Sequence, residues 1–176
     1  MKINGVIFIG LFLLFSCSSS EARRPVSQKT ATVYSEIMDQ NKKLNDLENK
    51  KIKQLIALDS AKTYQPSTKG FWYAYTQKVA ENTPSPQKGD VAIISYEIKA
   101  LNGEIIYSEE TLGIKKYAID KEDFIPALQD GIKLMKVGET IVFVIPSYRA
   151  FGVSGDGNKI GINQSIISIV TLIDIN

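Results

Sequence analysis

The clearest hydrophobic pattern in the chain lies between residues 124 and 152. Apolar side chains recur at its start at steps of three and four: Ile125, Leu128, Ile132 and Met135. This spacing places them on one face of a helix. Pro126 suits the first turn, because a helix leaves that N–H without an intrahelical partner in any case. The segment therefore predicts a short amphipathic helix that begins near residue 126.

A strand and an aromatic turn follow this helix. Gly138 is placed where the chain must turn out of the helix. Residues 140–145 are β-branched, aliphatic and aromatic, a composition typical of a buried strand. The run Tyr-Arg-Ala-Phe-Gly at residues 148–152 then predicts a turn that presents an aromatic ring.

Further strand patterns lie on both sides of this block. Residues 70–76 form an aromatic-rich run bounded by a glycine, and residues 83–90 have loop composition. Residues 91–100 predict a strand, and Asn102-Gly103 is a strong hairpin signal before the next short strand at residues 104–108. Shorter β-type runs occur at residues 117–119 and 166–175.

The first sixteen residues predict a targeting signal. Lys2 precedes an apolar run at residues 6–15, which has the length of a signal peptide and is too short to span a bilayer as a mature helix. Residues 14–17 resemble the lipobox of bacterial lipoproteins, which makes Cys17 the predicted lipidation site and membrane anchor. Residues 17–32 then predict a flexible tether.

Residues 33–65 predict a helical arm. No glycine or proline interrupts residues 33–62, and Asp39/Lys43 and Asp46/Lys50 pair at i,i+4 with the acid first. The apolar stripe is too irregular for a strict heptad repeat. Two interpretations stay open at this point: an arm that forms a homodimer through residues 33–62, or a helix that packs on the domain or spaces it from the membrane.

Composition excludes several function classes. The 176 residues carry a formal net charge of +2, which gives no electrostatic footprint for nucleic acid, and 44% are hydrophobic, enough for a real core. The chain has no histidine, and Cys17 is its only cysteine. Histidine-based acid–base chemistry, Cys/His nucleophilic pairs, a Cys/His zinc site and an internal disulfide are therefore excluded. The glycine-rich residues 152–161 lack the context of a phosphate loop and predict a mobile flap.

In order and spacing, residues 70–176 resemble the FKBP-type peptidyl-prolyl isomerases. The shared features are the Phe-Ile-Pro helix start, the Met-x-x-Gly exit, the Ile-Pro strand end and the aromatic-Gly turn. The resemblance implies an α+β fold, with an FKBP-like antiparallel sheet wrapped around one short helix and preceded by the N-terminal helical arm. It implies no cofactor and no metal.

The resemblance also implies a pocket. Its catalytic positions fall on Tyr96, Phe124, Ile125 and Phe151, with the Ile125 backbone amide receiving a bound carbonyl. Its other substrate-binding positions fall on a second set: Ile106, Tyr107, Tyr117, Leu128 and Ile162. Three of these residues depart from the family pattern. Leu128 replaces a tryptophan, Tyr107 replaces the pocket aspartate, and Phe151 replaces a tyrosine whose hydroxyl would donate to the ligand.

Rotation about an X-Pro bond needs no proton transfer and no covalent intermediate, so a protein without histidine can catalyse it. The expected function is a membrane-anchored isomerase that assists proline-containing exported proteins in the cell envelope, facing the periplasm. The chain is similar to the FKBP-type lipoproteins associated with gliding motility in Bacteroidota. The alternative is a non-catalytic chaperone or structural binding module, which Tyr107, Phe151 and the helical arm favour.

Overall fold

The computed structural model describes residues 28–79 and 82–176. These divide into two compact units, the first extending to Met38 and the second running from Asp39 to Asn176. The predicted signal peptide, the predicted lipidation site Cys17 and most of the predicted tether lie outside the described residues. Within them, no helix is both long and apolar enough to cross a membrane.

In the part of the chain that the structure describes, one long helix precedes a domain of strands and short helices. Helix α1 begins at Gln28, five residues before the predicted start of the arm, and ends at Leu58. The later elements are β1 (Gln65–Pro66), β2 (Trp72–Gln77), β3 (Val91–Ala100), β4 (Ile105–Tyr107), α2 (Glu109–Leu112), β5 (Lys115–Ala118), α3 (Pro126–Gly131), β6 (Thr140–Ile145) and β7 (Ile166–Ile175). Short 3-10 turns occupy Ile132–Leu134 and Ser147–Arg149.

The seven strands of residues 28–79 and 82–176 form one sheet in the order β1-β2-β6-β7-β3-β4, and β5 also pairs with β3. Every described pair is antiparallel. The longest pairing joins β3 to β7, with Tyr96 opposite Val170. The predicted α+β class with an antiparallel sheet is therefore confirmed.

The apolar face that the spacing predicted extends beyond α3: Leu128 lies in α3, Ile132 lies in the 3-10 turn that follows, and Ile125 and Met135 lie at the two ends of this segment. Pro126 is at the first helical position, and Leu128, Ile132 and Met135 are fully buried. Gly131 lies so close to β6 that an added Cβ would come within 2.5 Å of the Phe143 ring. The absence of a side chain at this position thus allows α3 to approach the sheet.

Two glycines make the turns that the sequence predicted. Gly103 has φ of +88°, and its N–H donates to the Ala100 carbonyl at 2.9 Å in the β3–β4 hairpin. Gly138 also has φ of +88°, and its N–H donates to the Leu172 carbonyl at 2.7 Å. This is the left-handed region that favours glycine.

The part of α1 that belongs to the second unit packs on the domain. Ile52 has no exposed surface, and the Glu48 side chain accepts hydrogen bonds from Ser147, which follows β6, and from Ser165, which precedes β7. Leu55 and Leu58 line a groove shared with residues of β6 and β7. For this part of the helix, the structure shows the packing that one of the two sequence interpretations expected.

Candidate active site

A cavity of about 410 Å³ opens between β3, β4, the start of α3 and the turn after β6. Most of its lining is apolar or aromatic, and carboxylates stand at two positions. The lining residues are Tyr96, Ile98, Tyr107, Leu112, Asp123, Phe124, Ile125, Pro126, Ala150, Phe151 and Asp156. All four predicted catalytic positions therefore contribute to one cavity.

Two aromatic rings form a corner of this cavity. Tyr96 comes from the middle of β3 and meets Phe124 edge to face, with ring centroids 5.4 Å apart and an interplanar angle of 88°. The Tyr117 ring lies 5.4 Å from Phe124. Burial raises the pKa of the Tyr96 hydroxyl, so this residue is a neutral phenol at physiological pH.

The peptide group between Phe124 and Ile125 is held in one direction by α3. Gln129 Nε2 donates to the Phe124 carbonyl at 3.0 Å. In a trans peptide the C=O and N–H point in opposite directions, so the Ile125 N–H points away from this contact. It also precedes the first helical turn, where no intrahelical acceptor exists. Ile125 therefore offers a backbone donor on a residue that lines the cavity.

The aromatic turn after β6 forms the wall that carries Phe151. The amides of Ala150 and Gly152 both donate to the Ser147 carbonyl at 2.9 Å, which curls the chain and leaves the Phe151 ring half-buried at the cavity. Arg149 Nη2 donates to the Pro126 carbonyl at 3.2 Å and to Asp130 at 2.6 Å. Arg149 thereby joins the turn to α3, another element that shapes the cavity.

The cavity contains a carboxylate that the sequence comparison with the FKBP pattern did not find. The Tyr107 hydroxyl donates to Asp156 at 2.5 Å, and the amides of Asn158 and Ile160 each donate to Asp156 Oδ1 at 2.8 Å. The family pattern places an aspartate at the position of Tyr107. Here a carboxylate comes from the loop after the aromatic turn instead. The Asp-Gly-Asn run at residues 156–158 is a turn signal that could have indicated its role.

The hydrogen-bonded pair of Tyr107 and Asp156 has a defined protonation state. Partial burial raises the pKa of Asp156, but the hydrogen bonds from Tyr107, Asn158 and Ile160 outweigh that effect and lower it below its ordinary value. The hydrogen bond to Asp156 is the main reason that the pKa of Tyr107 is raised. At neutral pH the contact therefore joins a neutral phenol to a charged carboxylate.

Four of the predicted substrate-binding residues do not line the cavity. Tyr117 and Leu128 are fully buried in the core, so neither presents surface to a ligand. Ile106 is half-buried and packs against the core beside the cavity. Ile162 is 69% exposed, whereas Ile160 is buried. The difference follows from Asp156, whose carboxylate fixes the Ile160 amide and thereby the register of the loop.

This arrangement is suited to an apolar, proline-containing segment. Aromatic and aliphatic surface surrounds the space, and the Ile125 N–H offers a donor for a carbonyl. Phe151 has no hydroxyl that could donate a second bond. A planar amide loses resonance and part of its charge separation when it twists, so an apolar site disfavours the planar form relative to the twisted one.

An antiparallel sheet packed on one short helix, with an aromatic cavity at the helix start, is the arrangement that the resemblance to the FKBP family implied. Residues 82–173 match the sequence model of the family described as FKBP-type peptidyl-prolyl cis-trans isomerase. The match covers more than half of the chain, and the chain belongs to this family.

Individual relatives agree with this assignment. The chain is 29% identical over 124 residues to the probable FKBP-type peptidyl-prolyl cis-trans isomerase FkpA of Neisseria meningitidis serogroup B. That match covers 70% of this chain and 43% of the relative, so the chain spans less than half the length of this curated protein.

Two solved structures share the fold at lower identity. Crystal structures of FkpA from Escherichia coli and of a peptidyl-prolyl cis-trans isomerase from Pseudomonas syringae superpose with TM-scores of 0.62 and 0.59, at 21% and 20% identity. The first covers 98% of this chain and 81% of its own, and the second 74% and 95%. These likenesses confirm the FKBP-like fold.

Proposed function

We propose that this protein is a peptidyl-prolyl cis–trans isomerase and that the cavity beside α3 is its active site. One observation carries the proposal: Tyr96, Phe124 and Phe151 surround a single apolar cavity that Ile125 also lines. The family assignment supports the same reaction.

The proposed mechanism needs only that the cavity binds the X-Pro segment and surrounds its amide with an apolar environment. Amide resonance creates a barrier of about 18–20 kcal/mol to rotation about an X-Pro bond, so uncatalysed exchange takes about 10–100 s. The aromatic walls hold the proline ring, while the Ile125 N–H donates to a carbonyl of the bound segment. Because the cavity is apolar, it disfavours the strongly dipolar planar amide and so lowers the free energy needed to reach the twisted transition state. No proton leaves and no covalent bond forms.

An exchange measurement on a short X-Pro peptide tests this function. We expect the chain from residue 17, with Cys17→Ser, to accelerate cis–trans exchange in NMR exchange spectra. Phe124→Ala should lower the acceleration at least tenfold, because it removes one side of the aromatic corner. Ile173→Ala, at an exposed position on β7, is the matched control and should leave it unchanged. Equal rates for Phe124→Ala and wild type would contradict the proposed site.

We further propose that the protein is a lipoprotein of the cell envelope that faces the periplasm. The basic start, the apolar run at residues 6–15 and the lipobox-like residues 14–17 support this. Its clients would be proline-containing exported proteins. In the source bacterium, labelled palmitate should be incorporated into the wild-type chain and not into Cys17→Ser. Label in the variant would contradict anchoring through Cys17.

A role in gliding motility is the most specific part of the proposal. It is supported by the resemblance of this chain to the FKBP-type lipoproteins that are associated with gliding. A strain that lacks the protein should lose colony spreading, and the wild-type gene should restore it. Normal spreading of the deletion strain would contradict the role.

We also propose that the first part of α1 mediates a homodimer. Apolar side chains stand exposed there at positions close together on the helix: Val33, Tyr34, Ile37 and Met38. Their spacing at i, i+1, i+4 and i+5 puts them on one side of the helix, where a second copy of the helix could cover them. Sedimentation of the wild-type chain should show a concentration-dependent dimer that Tyr34→Lys weakens. A monomer at every concentration would contradict it.

A second candidate function is a non-catalytic binding module, and one observation favours it. The Tyr107 hydroxyl and the Asp156 carboxylate satisfy each other, and Phe151 adds no hydroxyl, so these side chains offer a ligand few polar contacts. The double variant Tyr107→Asp with Phe151→Tyr distinguishes the two candidates. A large gain in exchange rate, from an inactive wild type that still binds the peptide, would favour the binding module.

A further inference from the structure

Helix α1 places one carboxylate inside the domain. Glu48 is 6% exposed, although it comes from a helix whose other acidic side chains lie at the surface. Its Oε2 accepts the Ser147 N–H at 2.7 Å and the Ser165 hydroxyl at 3.1 Å, and its Oε1 accepts the Ser147 hydroxyl at 2.6 Å. These partners are 99 and 117 residues away in the sequence.

The two serines stand at the base of the loop that forms one wall of the cavity. The last pair of β6 and β7 is Ile145 with Ile166, and the chain between them leaves the sheet at Ser147 and returns at Ser165. This loop carries Phe151 and Asp156, both of which line the cavity. Glu48 therefore holds both ends of the segment that supplies this wall.

The three hydrogen bonds to the Glu48 carboxylate offset the cost of burying it and favour one fixed geometry. A buried carboxylate is costly unless it is hydrogen-bonded, and here three donors converge on it. Hydrogen bonds to a charged acceptor are shorter and stronger than neutral ones. The arrangement therefore fixes the positions of Ser147 and Ser165 relative to each other and to α1.

We propose that Glu48 is a positioning residue for the cavity: by clamping both ends of the loop at residues 147–165, it sets where Phe151 stands. Its effect on catalysis rests on the proposed function. The clamp makes α1 a part of the scaffold of the active site, and not only a spacer. Displacements of about 1 Å in a catalytic wall can cost about a hundredfold in rate.

The test compares three substitutions at the clamp with one control. Glu48→Ala removes all three acceptor contacts, Glu48→Gln keeps one carbonyl acceptor, and Ser165→Ala removes a single contact at the far end of the loop. Asp46→Ala changes an exposed acid two residues away on the same helix and serves as the matched control. The chain from residue 17 with Cys17→Ser is used throughout, at a temperature well below each melting midpoint.

Two readouts are measured on each variant. The first is kcat/KM for cis–trans exchange of an X-Pro peptide, and the second is the set of amide resonances of residues 147–165 without peptide. We expect Glu48→Ala to lower kcat/KM about tenfold, chiefly through KM, and Glu48→Gln and Ser165→Ala to lower it about threefold. The Phe151 and Gly152 amides should shift or broaden in the same order, while Asp46→Ala leaves both readouts unchanged.

The outcomes separate this inference from the proposed function. If Glu48→Ala melts at a lower temperature but keeps wild-type kcat/KM and wild-type loop amides, its role is structural only and the inference is overturned. If Glu48→Ala does not fold, Ser165→Ala decides by the same two readouts. If the wild type does not accelerate exchange, the proposed function fails, and the loop amides still decide whether Glu48 positions Phe151.

Discussion

At the scale of single residues, the direction of one peptide group is central to the proposed mechanism. Gln129 holds the Phe124 carbonyl at 3.0 Å from its side-chain nitrogen. The Ile125 N–H points the opposite way because both groups belong to the same trans peptide. A side chain that touches no substrate thus determines whether the backbone donor is available.

Replacement of Gln129 should therefore affect catalysis more than stability. Gln129→Leu keeps a good helix former but removes the donor to Phe124, so the peptide group is free to rotate. Removal of a fixed donor at a catalytic oxygen costs about 10²–10³ in rate, and we expect about a tenfold loss for this indirect change. Exchange spectroscopy measures it, with the exposed helical Gln54→Leu as control. Unchanged exchange in Gln129→Leu would contradict the assigned role of the Ile125 amide.

The contact between Tyr107 and Asp156 makes loop stability depend on pH. The pKa of Asp156 is lowered in the folded chain, because its hydrogen bonds outweigh partial burial. A carboxyl group whose pKa is lower when folded contributes stability above its unfolded pKa, about 3.9. That contribution is lost as pH falls through the folded pKa.

Asp156→Asn should consequently destabilise the protein at pH 7 and have a smaller effect near pH 2–3. We expect a loss on the order of 1 kcal/mol at pH 7, the usual value of one hydrogen bond. Urea unfolding at the two pH values measures the difference, and the exposed Asp46→Asn gives the background. An equal destabilisation at both pH values would show that the Asp156 charge is not involved.

Which site residues could be predicted depends on how local their placement is. Tyr96 and Phe124 lie on regular elements next to recognisable motifs, and the structure brings both to the cavity. Ile162 and Asp156 lie in a loop whose register depends on the Asp156 hydrogen bonds. No periodicity encodes that register. The sequence therefore could not show that Ile160 would be buried and that Ile162, the predicted substrate-binding residue, would be exposed.

At the scale of elements, the fit of α3 on the sheet depends on Gly131. A Cβ at this position would stand 2.5 Å from Cε1 of Phe143, a ring with no exposed surface. Overpacking of a closed core of this kind usually costs about 1–3 kcal/mol. The approach of α3 to β6 also fixes where Phe124 and Ile125 stand at the cavity.

Gly131→Ala should therefore lower the free energy of unfolding by about 1–3 kcal/mol, against the helix propensity that favours alanine. Thermal or urea unfolding measures this change. The double variant Gly131→Ala with Phe143→Leu shortens the opposing side chain and should recover part of the stability lost in Gly131→Ala. A stabilised Gly131→Ala variant would show that the helix can move away from the sheet at no cost.

The elements were more predictable than their contacts. The strand pattern at residues 140–145 and the β-rich run at residues 166–175 coincide with β6 and β7 as observed. Apolar and β-branched residues determine such buried strands locally. The predicted start of α1 lies five residues after the observed one, because residues 28–32 are mostly polar and carry no apolar periodicity, although they lie within the helix.

At the scale of the whole molecule, α1 has two different parts. From Asp39 onward it belongs to the same compact unit as the sheet, where Glu48 and Ile52 are buried. Sequence separations of 99 and 117 residues lie beyond any local pattern, so the contacts of Glu48 could not be predicted. The sequence therefore left open whether the arm packs on the domain.

This division predicts the effect of two truncations. A chain of residues 39–176 should keep the wild-type melting temperature within a few degrees and the full exchange rate, while losing the proposed dimer. A chain of residues 63–176 should lose both stability and activity. It lacks Glu48, and it exposes the apolar surface of the domain against which Ile52 packs in the full chain. Calorimetry, sedimentation and exchange spectra measure these effects. A fully active 63–176 chain would contradict the role given to α1.

The most direct test of the central claim is one NMR experiment on isotope-labelled protein mixed with a short X-Pro peptide. It records the cis–trans exchange rate of the peptide and the amide shifts of the protein in the same sample. We predict accelerated exchange, with the Ile125 amide and the Tyr96, Phe124 and Phe151 resonances among those that shift most. Exchange at the uncatalysed rate, or acceleration with an unchanged Ile125 amide, would contradict the account.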